Sequence, residues 1–509
     1  MQRSYTKNYI KIYIWQGVSF LLNFLSMFIV LPYLSSRPDI FGIYSVCISV
    51  SIFLTYADLG FMGAGQKYAA EHLAREETSQ EVQAIGFVSF ILIVFLSILS
   101  IVFLYLSLHP WFLIKNLVGG VETSIASALL LILAIFTPAT LLQRILQIIF
   151  GIRLEDYIFQ RINIVASLFR ILSILWFFRN GQYGIVGYFV FSQAVSFFAA
   201  IIALIVARKR YNYNFRALAA SIRFNNIIFS KTKRLAFSGL YIAILWIIYY
   251  ELDPAVIGKF IGSKQVAIYA VGLTLLSFLR GIINILFSPF YNRRFHFIGA
   301  KDVEGLKTFC LHIIIITAPL VVIPIITMAL LAKPFILSWV GGNYAESVVI
   351  AQCLVLCNLF AFISCPTSEL LFAQERISIR NFMATMMAIV YWGGILLTYP
   401  FLELRSFAIF KLIIFYVPAI IYCAITIRFL NINLMQFLVK VFRPMLLPIV
   451  FIVITVFAVK GFLPYDKSRL NLLIVTATGG CLVLAAFILQ YFSSPYIRKY
   501  AVKIFQQTW

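Results

Sequence analysis

Charged side chains, and acidic ones above all, are scarce in this sequence. Only 12% of the 509 residues are charged, 62% are hydrophobic, and Asp and Glu together number 18. Soluble domains usually contain about 25% charged residues. The composition therefore excludes a water-soluble globular protein and indicates a protein that lies within a membrane.

Histidine and cysteine are also scarce, and their positions exclude two further classes of protein. The four histidines show no metal-ligand spacing, so neither a metal nor another cofactor is expected. Most of the seven cysteines fall within apolar runs, which argues against an extracellular disulfide framework. Cys353 and Cys357 are four residues apart, and core packing of one helix explains them most simply.

What the sequence does contain is a long series of apolar runs. Each run is about 20 residues long, the length that crosses a bilayer core as a helix. We predict an all-α polytopic membrane protein with about 14 transmembrane helices. The approximate spans are residues 10–34, 41–62, 84–106, 124–146, 158–178, 184–206, 235–252, 265–288, 308–332, 347–367, 381–402, 406–427, 442–460 and 469–492. The first run is too long for a signal peptide, so we expect an uncleaved helix.

The distribution of the basic residues predicts how the chain crosses the membrane. Lys and Arg number 41, and the net charge is +23. With the N-terminus taken as cytoplasmic, roughly two-thirds of them lie in inner segments, most densely between Arg208 and Arg234. This bias places both termini on the cytoplasmic side of the cell (inner) membrane. Contact with membrane lipids then accounts for most of the basicity without nucleic acid as a partner.

A short internal match suggests that the chain has two similar halves. Phe41–Val46 and Val266–Val271 share Ile, Tyr and Val at equivalent positions, and each begins a predicted helix. The offset of six helices is even, so the halves would have the same topology. The predicted segments are an N-terminal six-helix lobe at 1–207, a basic cytoplasmic linker at 208–234, a C-terminal six-helix lobe at 235–428, and two peripheral helices with a cytoplasmic tail at 429–509.

Polar residues at helical spacing mark one face of several predicted helices. The stripes are Gln16, Ser19, Asn23 and Ser26 in the first helix; Thr140, Gln143, Arg144 and Gln147 in the fourth; Gln160, Asn163, Ser167, Arg170 and Ser173 in the fifth; and Ser277, Arg280, Asn284 and Ser288 in the eighth. Hydrogen bonding between helices explains small polar residues in such positions. A charge at the helix centre costs about 2.5–3.5 kcal/mol and needs a carboxylate, a water-filled cavity or an anionic substrate.

We therefore expect Arg170 and Arg280 to face a cavity. Arg161 and Lys411 lie closer to helix ends, from which their side chains would reach the membrane interface. The intramembrane acids are fewer, namely Asp58, Glu251 and Asp253. Alignment of the two halves places Asp58 and Arg280 one helical turn apart on the same face, which suggests that they pair.

The segment around Asp58 has one feature of a nucleotide-binding loop. Gly60 and Gly65 have the P-loop spacing, but Gln66-Lys67-Tyr68 replaces its G-K-[ST] ending and the preceding apolar run is too long for a strand. A nucleotide site is therefore excluded. We expect the glycines to end the second helix before an amphipathic surface segment at 66–83.

The same segment resembles the polysaccharide-transporter branch of the multidrug/oligosaccharidyl-lipid/polysaccharide (MOP) flippase superfamily, which includes O-antigen-type flippases. The residues that carry the resemblance are Tyr44, Asp58, Leu59, Gly60 and Lys67, with Asp253, Gly262, Tyr269 and Pro289 in the second half. The resemblance implies two six-helix bundles in a V around a central cavity, followed by two C-terminal helices. It also implies transport of polyprenyl-diphosphate-linked oligosaccharide to the outer leaflet by alternating access, for cell-surface polysaccharide biosynthesis, and association with polysaccharide assembly proteins.

The resemblance implies that residues of the polar stripes bind this substrate. Arg170 and Arg280, with Arg144, would bind the diphosphate oxygens. Gln16, Asn23, Asn163 and Asn284 would bind the substrate's polar groups, the asparagines its sugar hydroxyls. No nucleotide-hydrolysing domain is visible, so Asp58, Glu251 and Asp253 are candidates for coupling to H⁺ or Na⁺.

Two alternatives remain open. A cation-coupled drug or toxin antiporter of the same superfamily would favour buried acids, whereas this interior has more arginine than carboxylate. A membrane glycosyltransferase or polysaccharide polymerase would need a large outer loop or a catalytic acid cluster, and the outer loops here do not much exceed about 20 residues. We therefore expect a transporter and not an enzyme.

Overall fold

The computed structural model is helical wherever it describes the chain. It describes residues 2–56, 60–115, 117, 120–153, 155–179, 183–299, 302–374, 376–494 and 498. Helices joined by short turns account for these residues, and no strand occurs among them. A helix satisfies its own backbone hydrogen bonds, which an apolar solvent requires. The predicted all-α membrane fold is confirmed.

The chain forms two compact units, Met1–Ala267 and Ile268–Trp509, and the division falls within one long helix. The helices that begin in the first unit are α1 (Gln2–Leu34), α2 (Pro38–Ser51), α3 (Phe61–Ala74), α4 (Thr78–Leu108), α5 (Gly120–Ile152), α6 (Asp156–Phe177), α7 (Ile185–Tyr211), α8 (Phe215–Ala220), α9 (Asn226–Trp246), α10 (Asp253–Phe260) and α11 (Ser263–Gly299). Within this unit α4 packs along α5, α1 along α6, and α7 against both α5 and α6. The predicted division into four segments stays a prediction.

The second unit contains most of α11 and the helices that follow it. These are α12 (Val303–Leu330), α13 (Ala332–Val340), α14 (Ser347–Leu356), α15 (Ala361–Ala373), α16 (Ile377–Leu402), α17 (Leu404–Leu430), α18 (Leu434–Val441), α19 (Arg443–Val459) and α20 (Arg469–Ser493). The last two helices pack on α12 and α13 through a buried apolar cluster that includes Ile323, Leu331, Ile452 and Val475.

The number of membrane spans is close to the predicted number but does not equal it. By length and composition, eleven helices of the described chain can cross a membrane, or thirteen if each of two bent pairs is one span. The bent pairs are Gly239–Glu251 with Asp253–Phe260, at 50°, and Ser347–Leu356 with Ala361–Leu371, at 47°. The predicted span at 41–62 falls on a shorter apolar helix, Pro38–Leu54. The count of 14 is therefore not confirmed.

The glycine-rich segment after α2 serves close helix packing. Gly60 has a φ of 77°, a left-handed conformation that favours glycine, and it directly precedes α3. A Cβ at Gly60 would lie 2.5 Å from the carbonyl oxygen of Ala236 in α9, and one at Gly65 would collide with Val88 in α4. Residues 66–83 do not form the single amphipathic surface segment that we expected. They are divided between α3 and α4, and α3 packs against neighbouring helices.

Candidate functional site

A polar cavity lies among α5, α6 and α7 of the first unit. Its volume is about 280 Å³, and its polar lining includes Thr140, Gln143, Arg144, Gln147, Asn163 and Gln193. Ser51, at the end of α2, also lines it. Two of the residues predicted to bind substrate, Arg144 and Asn163, therefore lie at one cavity.

The lining is ordered by hydrogen bonds within and between these helices. The guanidinium of Arg144 donates from Nη1 to Oε1 of Gln147, one turn further along α5, at 3.4 Å. Gln143 Nε2 donates to the carbonyl oxygen of Ser196 in α7 at 3.0 Å. Sequence reasoning missed Gln193, although its position one turn before Ser196 in an otherwise apolar helix was a signal of the same kind.

The polar stripe of α1 faces that of α6. Ser167 Oγ donates to Asn23 Oδ1 at 2.6 Å, and Asn23 Nδ2 donates to the carbonyl oxygen of Ser19 at 2.9 Å. At the start of α6, the Asp156 carboxylate accepts hydrogen bonds from Gln16 Nε2 and Gln160 Nε2, each at 3.2 Å. Gln16 and Asn23 thus hold two helices together. Asn23 is also exposed, so its amide remains accessible to a ligand.

Arg170 lies at the far end of this hydrogen-bonded seam. Its Nη2 donates to Ser167 Oγ at 3.4 Å and its Nε to the carbonyl oxygen of Ala166 at 3.5 Å, both long for a hydrogen bond. Tyr44 and Tyr188 interact with it electrostatically. No carboxylate in the described part of the chain forms an ion pair with Arg170, although α6 is long and apolar enough to span a membrane. A guanidinium in this setting favours an anion.

Three other predicted site residues are not among those that line the cavity or the α1–α6 seam. Arg280 and Asn284 lie on α11 in the second unit, where Arg280 is half-buried and Asn284 is exposed. The cavity described above is formed by residues of the first unit. Asp58 lies outside the described residues, so its pairing with Arg280 stays a prediction.

The two remaining predicted acids flank the bend of 50° between Gly239–Glu251 and Asp253–Phe260. A π-helical turn, Ile247–Glu251, ends the first limb, and Asp253 begins α10. Glu251 Oε1 accepts a hydrogen bond from Trp246 Nε1 at 3.4 Å. Asp253 is fully buried in the first turn of α10, where the positive end of the helix dipole stabilises a carboxylate.

The two cations expected at the interface have different environments. The Arg161 guanidinium lies over the rings of Trp15 and Tyr157, at 4.5 and 5.4 Å from their centroids, near the start of α6. Lys411 is fully buried, with Nζ 5.5 Å from the centroid of Tyr391, so the expectation that it reaches the interface was wrong. Helices α14, α15 and α16 all pack against α17, which the sequence did not indicate. Among the described residues, no group of three His, Cys, Asp or Glu side chains has the arrangement of a metal site.

Comparison with known proteins gives no sequence match and clear structural matches. No family profile matches the chain, and no curated protein sequence does. Lipid II flippase MurJ in an inward closed conformation matches with a TM-score of 0.64 and 13% identity, over 96% of this chain and 99% of that one. An inward-facing multidrug-resistance MATE transporter of the MOP superfamily matches with a TM-score of 0.62 and 13% identity, over 81% and 94%.

A third match is a MOP superfamily transporter from Pyrococcus furiosus, for which a reverse polarity of the binding pocket suggests a different function. It has a TM-score of 0.56 and 12% identity over 84% of this chain and 96% of that one. All three are transporters of one superfamily. The chain therefore has the fold of the MOP-superfamily transporters.

Proposed function

We propose that the chain is a flippase that moves a polyprenyl-diphosphate-linked oligosaccharide from the inner to the outer leaflet of the cytoplasmic membrane by alternating access. The observation that carries this proposal is Arg170, a guanidinium on a membrane-spanning helix with no carboxylate partner among the described residues. A second arginine, Arg144, lines a polar cavity on the adjacent helix.

The chemistry of these residues suits the two polar parts of such a substrate. A diphosphate that leaves water needs charged donors, and the planar fork of arginine matches its oxygens. Neutral amides such as those of Gln143, Gln147 and Asn163 suit sugar hydroxyls, because they both donate and accept. Asn163 and Arg170 are seven residues apart, or about 10 Å along the helix axis, so one substrate would reach both groups.

The structural matches are consistent with this proposal at the level of the fold. One neighbour is by name a lipid II flippase and another a multidrug transporter, so the fold by itself fits either substrate class. The Pyrococcus furiosus transporter links pocket polarity to function in this fold. Arg144 at the polar cavity and Arg170 at the α1–α6 seam therefore support an anionic substrate. Cell-surface polysaccharide biosynthesis, with the assembly proteins of that pathway as partners, is the corresponding cellular role.

The decisive experiment follows the lipid-linked oligosaccharide in the two leaflets of cells that lack the gene. We expect it to accumulate in the inner leaflet, and wild-type protein to restore its delivery. Arg170→Ala and Arg144→Ala should not restore it. Arg161→Ala is the matched control, because it removes the same charge from α6 at a position where the guanidinium lies on two aromatic rings. Normal delivery in the deleted cells, with no second transporter present, would refute the proposal.

A cation-coupled drug antiporter is the second candidate, and the fully buried Asp253 is the observation that favours it. The two candidates differ in a simple assay with ethidium, a cationic dye. The antiporter predicts that the wild type extrudes ethidium, that Asp253→Asn abolishes this efflux, and that Arg170→Ala does not reduce it. The flippase predicts that none of these proteins changes ethidium efflux. For the flippase, Asp253, Glu251 and Asp58 are the candidates for coupling transport to an H⁺ or Na⁺ gradient.

A further inference from the structure

A second pocket lies at the opposite end of α4 and α5 from the salt bridge between Glu81 and Arg153. Its volume is about 380 Å³, and its lining includes Trp111, Lys115, Thr123 and Lys259. These residues come from the connection between α4 and α5, from the first turn of α5 and from the last turn of α10. The pocket contains none of the residues assigned to transport, and it lies beside α10, the second limb of the bent helix pair.

Two lysines join the walls of this pocket. Lys259 Nζ donates to the carbonyl oxygen of Trp111 at 3.1 Å, and Lys115 Nζ donates to that of Phe260 at 3.4 Å. The backbone N–H of Lys115 also donates to the carbonyl oxygen of Gly258 at 2.9 Å. We call this reciprocal arrangement the lysine clasp. It fastens α10 to the connection that follows α4.

The clasp leaves N–H donors of both lysines unused, and Lys259 Nζ also lies 5.5 Å from the centroid of the Phe112 ring. An ammonium group has three N–H donors, and one carbonyl oxygen satisfies only one of them. No carboxylate in the described part of the chain forms an ion pair with Lys115 or Lys259. Two positive charges at one small pocket, each with free donors, favour an anion with several acceptor oxygens, such as a phosphate.

The surroundings of the pocket point to a lipid as the source of that phosphate. Leu108, Trp111 and Phe260 expose 65%, 53% and 67% of their surface. Large apolar and tryptophan side chains next to cations are typical of the level at which a protein meets the lipid headgroups. A volume of about 380 Å³ is at the small end of the range for ligand pockets and suits a headgroup. The acyl chains would then lie along the exposed apolar side chains.

We propose that the lysine clasp binds the phosphate of an anionic phospholipid headgroup. The bound lipid links α10, the second limb of the bent helix pair, to the connection between α4 and α5. This inference does not depend on the transported substrate, because it concerns residues outside the cavity and the α1–α6 seam.

The test is a lipid titration of the purified full-length protein in detergent, followed by its apparent melting temperature and by native mass spectrometry. The probes are phosphatidylglycerol, phosphatidylcholine and inorganic phosphate. We expect phosphatidylglycerol to stabilise the wild type most and to remain bound in the mass spectrum. The double variant Lys115→Gln/Lys259→Gln should bind phosphatidylglycerol about tenfold more weakly or worse. Glutamine keeps an N–H donor for the carbonyl oxygens, so the fold should persist without lipid.

Lys264→Gln is the matched control, because Lys264 is exposed, lies five residues from Lys259 and does not line the pocket. It should bind phosphatidylglycerol as the wild type does. If the double variant does not fold, each single lysine variant should still weaken the binding. Equal binding by the double variant and the control would overturn the site. Equal stabilisation by inorganic phosphate at the same phosphate concentration would overturn the lipid as its ligand.

Discussion

At the scale of single residues, two of the ion pairs described in the first unit differ in burial. Arg153 Nη2 donates to Glu81 Oε1 at 2.8 Å, and the side chain of Glu81 is only 1% exposed. Removing Arg153 would leave this carboxylate buried without its partner, which costs about 3–5 kcal/mol. We predict that Arg153→Ala lowers the apparent melting temperature in detergent by about 3–5 °C.

Arg210→Ala is the control for that variant. Arg210 pairs with Glu155 at 2.6 Å, but its side chain is 48% exposed. Pairs of this kind contribute about 1 kcal/mol or less. Similar losses of melting temperature for the two variants would show that the burial of Glu81 does not determine the cost. Partial recovery in the double variant Glu81→Gln/Arg153→Ala would confirm that the unpaired carboxylate causes the loss.

The ion pair between Arg210 and Glu155 also predicts how the stability of the protein depends on pH. Hydrogen bonds from Arg210 and Tyr211 lower the pKa of Glu155 below its ordinary value of 4.5, against the opposing effect of partial burial. A lowered pKa in the folded state means that the stabilisation is complete above the ordinary pKa and is lost as the pH falls through the lowered one. The melting temperatures of wild type and Glu155→Gln should therefore differ by a constant amount above about pH 5. The difference should shrink toward zero in more acidic buffer, and a constant difference down to the lowest pH would contradict the prediction.

The sequence predicted which residues lie together only where those residues share one face of a helix. The fourth-helix stripe is such a case, because residues three or four apart share a face whatever the fold. Partners distant in sequence were not predicted. Glu81 and Arg153 are separated by 72 residues, and Lys115 and Phe260 by 145. The burial of Lys411 likewise depends on which helices cover α17, and no local pattern specifies that.

At the scale of helices, hydropathy predicted where the helices lie but not where they bend or change their hydrogen-bonding pattern. A helix lies at each predicted span because a run of apolar residues of that length has no other stable conformation in lipid. Pro254 lies in the first turn of α10, where proline is favoured. The π-helical turn before it and the bend of 50° depend on packing against other helices and had no sequence signal.

Close contact between helices makes a prediction about one glycine. A Cβ at Gly42, in the middle of α2, would overlap the backbone carbonyl group of Ser263 at the start of α11. A backbone group cannot move aside as a flexible side chain can, so Gly42→Ala should cost about 1–3 kcal/mol. We predict a lower apparent melting temperature for this variant.

Gly63→Ala is the matched control, since Gly63 is also helical and a Cβ there would have no neighbour within 4 Å. Alanine favours a helix more than glycine does by about 1 kcal/mol, so Gly63→Ala should be neutral or slightly stabilising. Equal effects of the two substitutions would show that the spacing between α2 and α11 does not require glycine.

At the scale of the whole molecule, the bilayer replaces water as the main solvent. Many large apolar side chains remain exposed on the long helices, such as Trp176 at 76%, Leu397 at 78% and Phe401 at 84%. In water such a surface would cause aggregation, whereas lipid solvates it. Composition alone was enough to predict a multi-pass membrane protein. Composition does not specify which way the chain crosses the membrane, and that information lies in the basic loops.

The predicted orientation places the connection between α19 and α20 outside the cell and the basic linker around Arg223 inside it. We predict that a cysteine at Asp466, which is exposed in that connection, reacts with a membrane-impermeant maleimide applied to intact cells. A cysteine at Arg223, also exposed, should react only after the cells are permeabilised. Of the native cysteines, Cys481 is exposed and Cys353, Cys365 and Cys423 are half-buried, so the protein without either new cysteine, with and without Cys481→Ser, provides the background. Labelling of the Arg223→Cys protein in intact cells, with the Asp466→Cys protein unlabelled, would reverse the topology and place both termini outside.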